Sequence, residues 1–326
     1  MKRYLPAATF ALLLITAVGS LAVGVTHIEG FWEELFKPGR NEILWQIRFP
    51  RVIAALLVGA ALAVAGLMSQ GACNNALAEP SVLGTSAGAS LATVIAILFG
   101  LVQVGSIAAT ACGVLGAIAA TVLTFKLASK RSGLSSFALI IVGIAVTAIL
   151  TAVVGITTTM ISRADARSIS FWNFGSLSLI TYDNLIGIFI TTTFGFALAF
   201  SIAPALDRLS LGDATAFYLG VDVVKVRKLA LVALSISAGG AVSTVGTIAF
   251  LGLAAPHIAR FIYGPAHRFL VIQSSIIGAL ILVTADTLAR TIAQPNELPI
   301  GLVTSLIGAP VLITLVAMRN STWRTP

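Results

Sequence analysis

The sequence predicts an all-α, polytopic membrane protein, and three observations carry that fold class. Of its 326 residues 58% are hydrophobic and only 10% are charged, against the roughly 25% charged of an ordinary soluble domain. Uncharged runs long enough to cross a bilayer recur along the chain, and mean hydropathy is +1.02. A helix needs about 20 such residues to span the hydrocarbon core. The runs also carry small residues at helical spacing, as in Gly84-x-x-x-Gly88, which let two helices approach closely in lipid. A buried hairpin of a soluble protein accounts for one such run, not for a chain filled with them.

After Lys2 and Arg3 the chain is apolar from about Tyr4 to Gly24. A secretory signal has the same basic start, and Ala17-Val18-Gly19 could serve as a weak cleavage site. A retained first helix is favoured because another apolar run follows every loop. The mixed segment Thr26 to Pro50, with Trp32, Trp45 and several charges, suits a loop or helix at the membrane interface. Further runs, uncharged apart from Arg51 and Asp183 near their starts, fall at about 51–70, 82–102, 105–125, 134–160, 180–203, 229–250, 270–285 and 298–318.

With the first run these make nine crossings, and an odd number would separate the termini. Lys2 and Arg3 at one end and Arg319 and Arg324 at the other place both termini in the cytoplasm by the positive-inside tendency. Parity therefore requires a tenth crossing, and Thr247 to Tyr263, broken by Gly252 and Pro256, is the candidate. Ten crossings put 13 Lys and Arg residues inside and 7 outside. Residues 1–326 then form a single transmembrane domain, with no room for a soluble one.

The net charge of +8 sits in short loops, where it orients helices and gives no reason to expect nucleic acid. Cys73 and Cys112 lie in or beside apolar runs and suggest neither a disulfide nor a thiolate metal site. There is no phosphate-binding Gly-rich loop and no His-Glu-x-x-His pair, and His27, His257 and His267 are far apart. No catalytic, cofactor or metal site is predicted. The long inner loop 204–228 carries Ser210, Leu211, Gly212, Asp213 and Tyr218. Ser210 with Asp213 resembles a capping box, and Gly220 can end the resulting short helix. Leu211, Ala214 and Tyr218 then share one face, which either docks in a partner's groove or lies on the bilayer. Asp286 and Arg290, four residues apart, are expected to pair near the outer end of the ninth crossing. Gly59, Gly66, Gly84 and Gly88 are expected to pack helices closely.

Several motifs in order along the chain carry a family likeness. Arg48-Phe49-Pro50-Arg51, Leu57-Val58-Gly59-Ala60-Ala61-Leu62, Leu77-Ala78-Glu79-Pro80 and Leu83-Gly84 fall in the front half. Phe250-Leu251-Gly252-Leu253, Pro256-His257-Ile258-Ala259-Arg260, Ala285-Asp286, Glu297-Leu298-Pro299-Ile300-Gly301 and Gly308-Ala309-Pro310 fall in the back half. Together they resemble the iron-chelate, haem and vitamin B12 permeases of ABC importers, from Arg48 to about Met318.

The resemblance implies the type II ABC importer permease fold, with about ten helices per subunit, in the bacterial cytoplasmic membrane. It implies a homodimer around a central pathway lined in part by the second crossing. It also implies two separate cytoplasmic ATPase subunits meeting the 204–228 loop, and an extracytoplasmic substrate-binding protein. Arg48, Arg51 and Arg290 match arginines that meet carboxylates of the binding protein. One departure stands out: the family's usual Arg-Asn-Pro-Leu-Ala reads Asn74-Asn75-Ala76-Leu77-Ala78 here, losing a cation and a stiffening proline. Iron(III)-siderophore is the expected substrate, being the commonest in the family, with haem and vitamin B12 as alternatives. Phe171, Trp172 and Phe174 could meet a flat ligand or form an interfacial belt. A secondary transporter is the reading from another class, disfavoured by spans nearly free of acids. A membrane enzyme is weaker still, for want of a convergent nucleophile, base or metal set.

Overall fold

The computed structural model describes residues 4–24, 26, 28–103, 105–129, 136–160, 169–294 and 296–322. Among them, ten helices of thirteen residues or more build the bundle: α1 (Leu5–Ala22), α2 (Phe49–Cys73), α3 (Thr85–Leu98), α4 (Ile107–Ala128), α5 (Ser136–Thr159), α6 (Tyr182–Leu209), α7 (Val223–Val245), α8 (Leu251–Tyr263), α9 (His267–Ala289) and α10 (Ile300–Thr322). Seven segments, which include α1, α2, α4, α5, α6, α7 and α9, are long and apolar enough to cross a membrane unaided. Short helices at Phe31–Leu35 and Asp213–Tyr218, and a π-turn at Ile43–Arg48 leading into α2, complete the elements named here.

Local chemistry sets the helix ends. Pro6 and Pro50 occupy first turns, where the missing N–H costs nothing. The Ser106 hydroxyl accepts from the Ala109 N–H at the start of α4, and the Asp222 carboxylate accepts from the Lys225 N–H at the start of α7. Asn74 closes α2 in the left-handed region, at φ 45°, donating its N–H to the Gln70 and Gly71 carbonyls. Asparagine tolerates that conformation better than arginine. The Asn75 side chain then accepts from Leu77 N at 2.9 Å. Two asparagines thus hold the turn that a proline stiffens in the family pattern.

Most helices run beyond the uncharged runs that located them. α7 begins at Val223 rather than near 229, and α9 covers His267 to Ala289 rather than 270–285. Charged residues such as Arg227 and Asp286 can lie within a buried helix when a partner meets them. The predicted loop from 204 begins at 210 for the same reason, since α6 continues through Pro204 to Leu209. A helix is present at the predicted tenth crossing, but the chain is broken elsewhere than predicted. α8 passes through Gly252 and Pro256 unbroken, and the interruption lies just before it, where Gly246 (φ 79°) and Phe250 (φ 65°) turn the chain. Its 13 residues rise about 20 Å, short of the roughly 30 Å core.

α2 and α7 form the centre. α2 packs against α9, α7, α6 and α8, and α7 against α6, α4 and α3. Without a hydrophobic drive between helices in lipid, close backbone approach supplies the packing. Gly59 faces the backbone of Gly278 on α9, Gly66 faces the Gly252 carbonyl on α8, and Gly88 of α3 faces Gly116 of α4; a methyl at any of them would overlap backbone. Gly84 works differently. It precedes α3 at φ 83°, so Gly84 makes a turn and only Gly88 packs a helix. Large apolar side chains of α1 and α5, among them Phe10, Ile15, Ile141, Ile149 and Ile156, point outward. Lipid or a partner subunit is their natural neighbour.

Contacts between helix ends define two ends of the bundle. At the proximal end the Tyr263 hydroxyl donates to Leu5 O (3.2 Å) and Arg227 Nε to Ala72 O (3.1 Å). His267 N meets Asp207 Oδ1 there at 2.8 Å. At the distal end Arg290 reaches Val23 O (2.7 Å) and Asn184 reaches Gly105 O (2.9 Å). The start of α10 is distal as well, where Gly301 N meets Phe174 O at 3.1 Å. The helices therefore alternate in direction, and the start of α1 and the last turn of α10 belong to the proximal end.

Candidate functional site

At the distal end, Arg48, Arg51 and Arg290 are 4%, 5% and 5% exposed. Arg51, in the first turn of α2, is held by two carboxylates. Its Nε lies 3.0 Å from Asp286 Oδ1, and its two terminal nitrogens lie 2.8 and 3.0 Å from the Glu297 oxygens. Arg290 donates to Val23 O and to Ser20 Oγ at 2.7 Å each, and to Ser20 O. Arg48 donates to Leu21 O (2.8 Å), Ala22 O (2.9 Å) and Thr26 O. Gly24 leaves room for that guanidinium, since a Cβ there would stand 2.6 Å from it. Three arginines thus tie the end of α1 to α2 and α9.

The expected Asp286–Arg290 pair exists at 3.6 Å, but Arg51 is nearer to Asp286, at 2.9 Å. A buried carboxylate is stable only when fully partnered, and here two guanidiniums from different helices serve it. The docking role expected of these arginines meets a physical obstacle: each guanidinium is buried and already donates to groups of its own chain, although Arg290 Nε makes no hydrogen bond. Exposed cations at this end include Lys37 and Arg40, whose side chains are 52% and 61% exposed and pair with Glu33 and Glu34.

At the proximal end the helix Asp213–Tyr218 follows Gly212, whose φ of 97° turns the chain out of α6. The predicted capping box does not form. Ser210 ends α6 with its hydroxyl on Asp207 O (2.7 Å), and the Asp213 carboxylate takes Arg227 instead, at 2.9 Å. Arg227 is 2% exposed and also holds Ala72 O, so the short helix is anchored to the ends of α2 and α7. Ala216 faces inward at 0%, while Leu211 (61%), Phe217 (71%), Tyr218 (86%) and Leu219 (50%) face out. Sequence reasoning found Leu211 and Tyr218 but missed Phe217 and Leu219. A six-residue helix buries one narrow stripe, so a full turn of apolar side chains stays available. Gly220, at φ 77°, ends it as expected.

Beside this helix opens a cavity of about 960 Å³ between the proximal ends of α2, α5, α6, α8 and α9. Gln70, Asn74, Asn75, His257, Arg260 and His267 bring its polar groups. The fold thus joins two histidines that stand apart in the sequence; His27 lies outside the described residues. Glu79 is a further residue that motif reading quoted without a role. Its carboxylate accepts from Phe250 N at 2.9 Å, capping the start of α8, which has no side-chain cap of its own.

Comparison with known proteins places this geometry. Residues 10–318 match the family model described as the FecCD transport family. The chain is 39% identical to the iron(3+)-hydroxamate import system permease protein FhuB of Bacillus subtilis (strain 168), over 94% of this chain and 81% of that one. It is 36% identical to the hemin transport system permease protein HmuU of Yersinia pestis, over 95% of this chain and 94% of that one. A solved structure described as a metal-chelate type ABC transporter in an inward-facing conformation superposes with a TM-score of 0.83, covering 96% of this chain and 99% of its own at 28% identity. Ten alternating helices, the motifs from Arg48 to Pro310 and a near full-length match lead to one assignment: the chain is a membrane permease that belongs to the FecCD transport family.

Proposed function

We propose that this permease carries an iron(III)-hydroxamate siderophore inward across the bacterial cytoplasmic membrane. It works as one of two permease copies around a shared pathway, with ATP hydrolysis on two separate cytoplasmic subunits and loading by an extracytoplasmic binding protein. The observation that supports this best is the 39% identity, over 94% of the chain, with an iron(3+)-hydroxamate permease. The proximal end is read as cytoplasmic because Lys126, Arg208, Lys225, Lys228 and Arg268 cluster at helix ends there. The exposed Leu211, Phe217, Tyr218 and Leu219 then face the ATPase. The binding protein meets the distal face, where burial of Arg48, Arg51 and Arg290 argues for a supporting role beneath the contact surface.

The test is uptake of radio-iron in cells lacking and regaining this chain, supplied in turn as ferric hydroxamate and as haem. Restored hydroxamate uptake with no gain on haem is expected; restoration on haem alone overturns the substrate. Sidedness is tested separately by cysteine labelling in intact cells. Positions 320–326 should be protected from outside and 161–168 reached, and the reverse pattern overturns the orientation. A transport-competent assembly holding one copy of this chain beside a different permease overturns the homodimer.

A further inference from the structure

Neither the distal network nor the short helix uses the proximal cavity, and its lining asks for a ligand. Gln70 is 3% exposed, lines the cavity, and has neither its amide nitrogen nor its amide oxygen hydrogen-bonded. A buried amide left without partners costs on the order of 1–3 kcal/mol for each group, so something polar belongs there. Arg260 lines the same space with Nη1 buried and lacking a hydrogen-bond partner. Among the described residues no carboxylate lines the cavity, and the nearby Asp207 is spent on His267, 2.7 Å from Nδ1. The lining therefore favours an anion that also accepts and donates hydrogen bonds.

Size and rim narrow the class. At about 960 Å³ the space exceeds what a bare phosphate fills. Its rim carries Leu77 and Phe137, 54% and 73% exposed, an apolar edge beside a polar floor. Basic pockets between helices on the cytoplasmic side of a membrane suit anionic headgroups. We propose that this cavity binds the phosphoryl headgroup of an anionic phospholipid of the inner leaflet, with Arg260 and Gln70 on the headgroup and Leu77 and Phe137 against the first part of an acyl chain. Occupied, it ties together the ends of α2, α5, α6, α8 and α9 beside the helix that faces the ATPase. The leaflet assignment rests on the orientation proposed above, whereas lipid binding in detergent does not, so the two can fail separately.

The experiment uses the full chain, stripped of lipid in detergent and titrated with cardiolipin, phosphatidylglycerol or phosphatidylcholine under native mass spectrometry. One retained anionic lipid per chain is expected, with phosphatidylcholine lost under the same conditions. Arg260→Gln should weaken retention by about fivefold or more, while Arg268→Gln, an exposed cation outside the cavity, leaves it unchanged. Asn74→Arg, at the exposed rim, should strengthen it. Phe137→Trp gives a readout that leaves Arg260 and Gln70 unchanged: its fluorescence should be quenched by brominated acyl chains on phosphatidylglycerol. Equal retention of phosphatidylcholine, absence of quenching, or indifference to Arg260→Gln in a protein that elutes as folded overturns the proposal. Displacement of the lipid by millimolar inorganic phosphate shows a free-anion site and overturns it. An assembled transporter without the lipid, in which Asn75→Cys crosslinks to the ATPase, assigns the cavity to the ATPase contact and overturns it too.

Discussion

The two ends of the bundle use the same side chains to opposite effect. At the distal end three arginines meet two carboxylates and several carbonyls of the same chain, so most of the polar capacity is consumed internally. At the proximal end one arginine, Arg227, anchors the short helix, while Arg260, Gln70 and four large apolar side chains are left on offer. Charge in a motif does not say whether it binds a partner or braces the fold; the neighbours decide. A buried guanidinium that meets carbonyls and carboxylates of its own chain is a brace. An amide at a cavity wall without a partner in its own chain, like that of Gln70, braces nothing.

The sharpest way to break the comparison is to unpair the distal network. Asp286→Ala leaves Arg51 and Arg290 buried without their shared carboxylate and should cost about 3–5 kcal/mol. The expected outcome is a steep fall in folded yield and melting temperature in detergent. A double variant with Arg51→Leu and Asp286→Leu should regain much of that loss. If Asp286→Ala melts like the parent, the distal end is not a brace.

A second test addresses the packing that brings both ends into register. Gly66→Leu drives a side chain into the Gly252 carbonyl and should destabilise by about 1–3 kcal/mol or more through overpacking. Gly155→Leu, where nothing lies within 4 Å, should be silent. Equal melting of the two variants would remove the close α2–α8 approach as a structural element. Smaller still, Glu79→Ala removes the cap on Phe250 N and should cost about 0.5–2 kcal/mol. Hydrogen exchange should report it as faster exchange confined to the first turn of α8. Uniform loosening of the whole bundle would contradict a local capping role.

The smallest stability effect is expected where the functional effect is largest. Phe217→Ala with Tyr218→Ala touches only exposed side chains, and melting should shift by no more than about 0.5 kcal/mol per substitution. Co-purification of the ATPase should nevertheless weaken by roughly tenfold or more, the loss expected on truncating aromatic anchors. An unchanged ATPase yield would return the short helix to resting on the bilayer.

Much of the architecture was legible because its causes are local or global averages. Apolar runs and the parity of basic termini yield ten helices and their alternation, and the motifs from Arg48 to Pro310 carry the family. Helix ends were less legible, since charged residues such as Arg227 and His267 sit inside helices once partners far along the chain meet them. The site was least legible. Spacing alone pairs Asp286 with Arg290 because they are four residues apart on one helix. That Arg51, 235 positions away, lies closer is decided by how α2 and α9 pack at Gly59 and Gly278. Composition determined that this chain lives in a membrane, because transfer from water to hydrocarbon is a property of each segment by itself. Only the tertiary structure decided which arginines are braces and that Gln70, His257, Arg260 and His267 share one cavity, because pairing and enclosure belong to surfaces made by several segments at once.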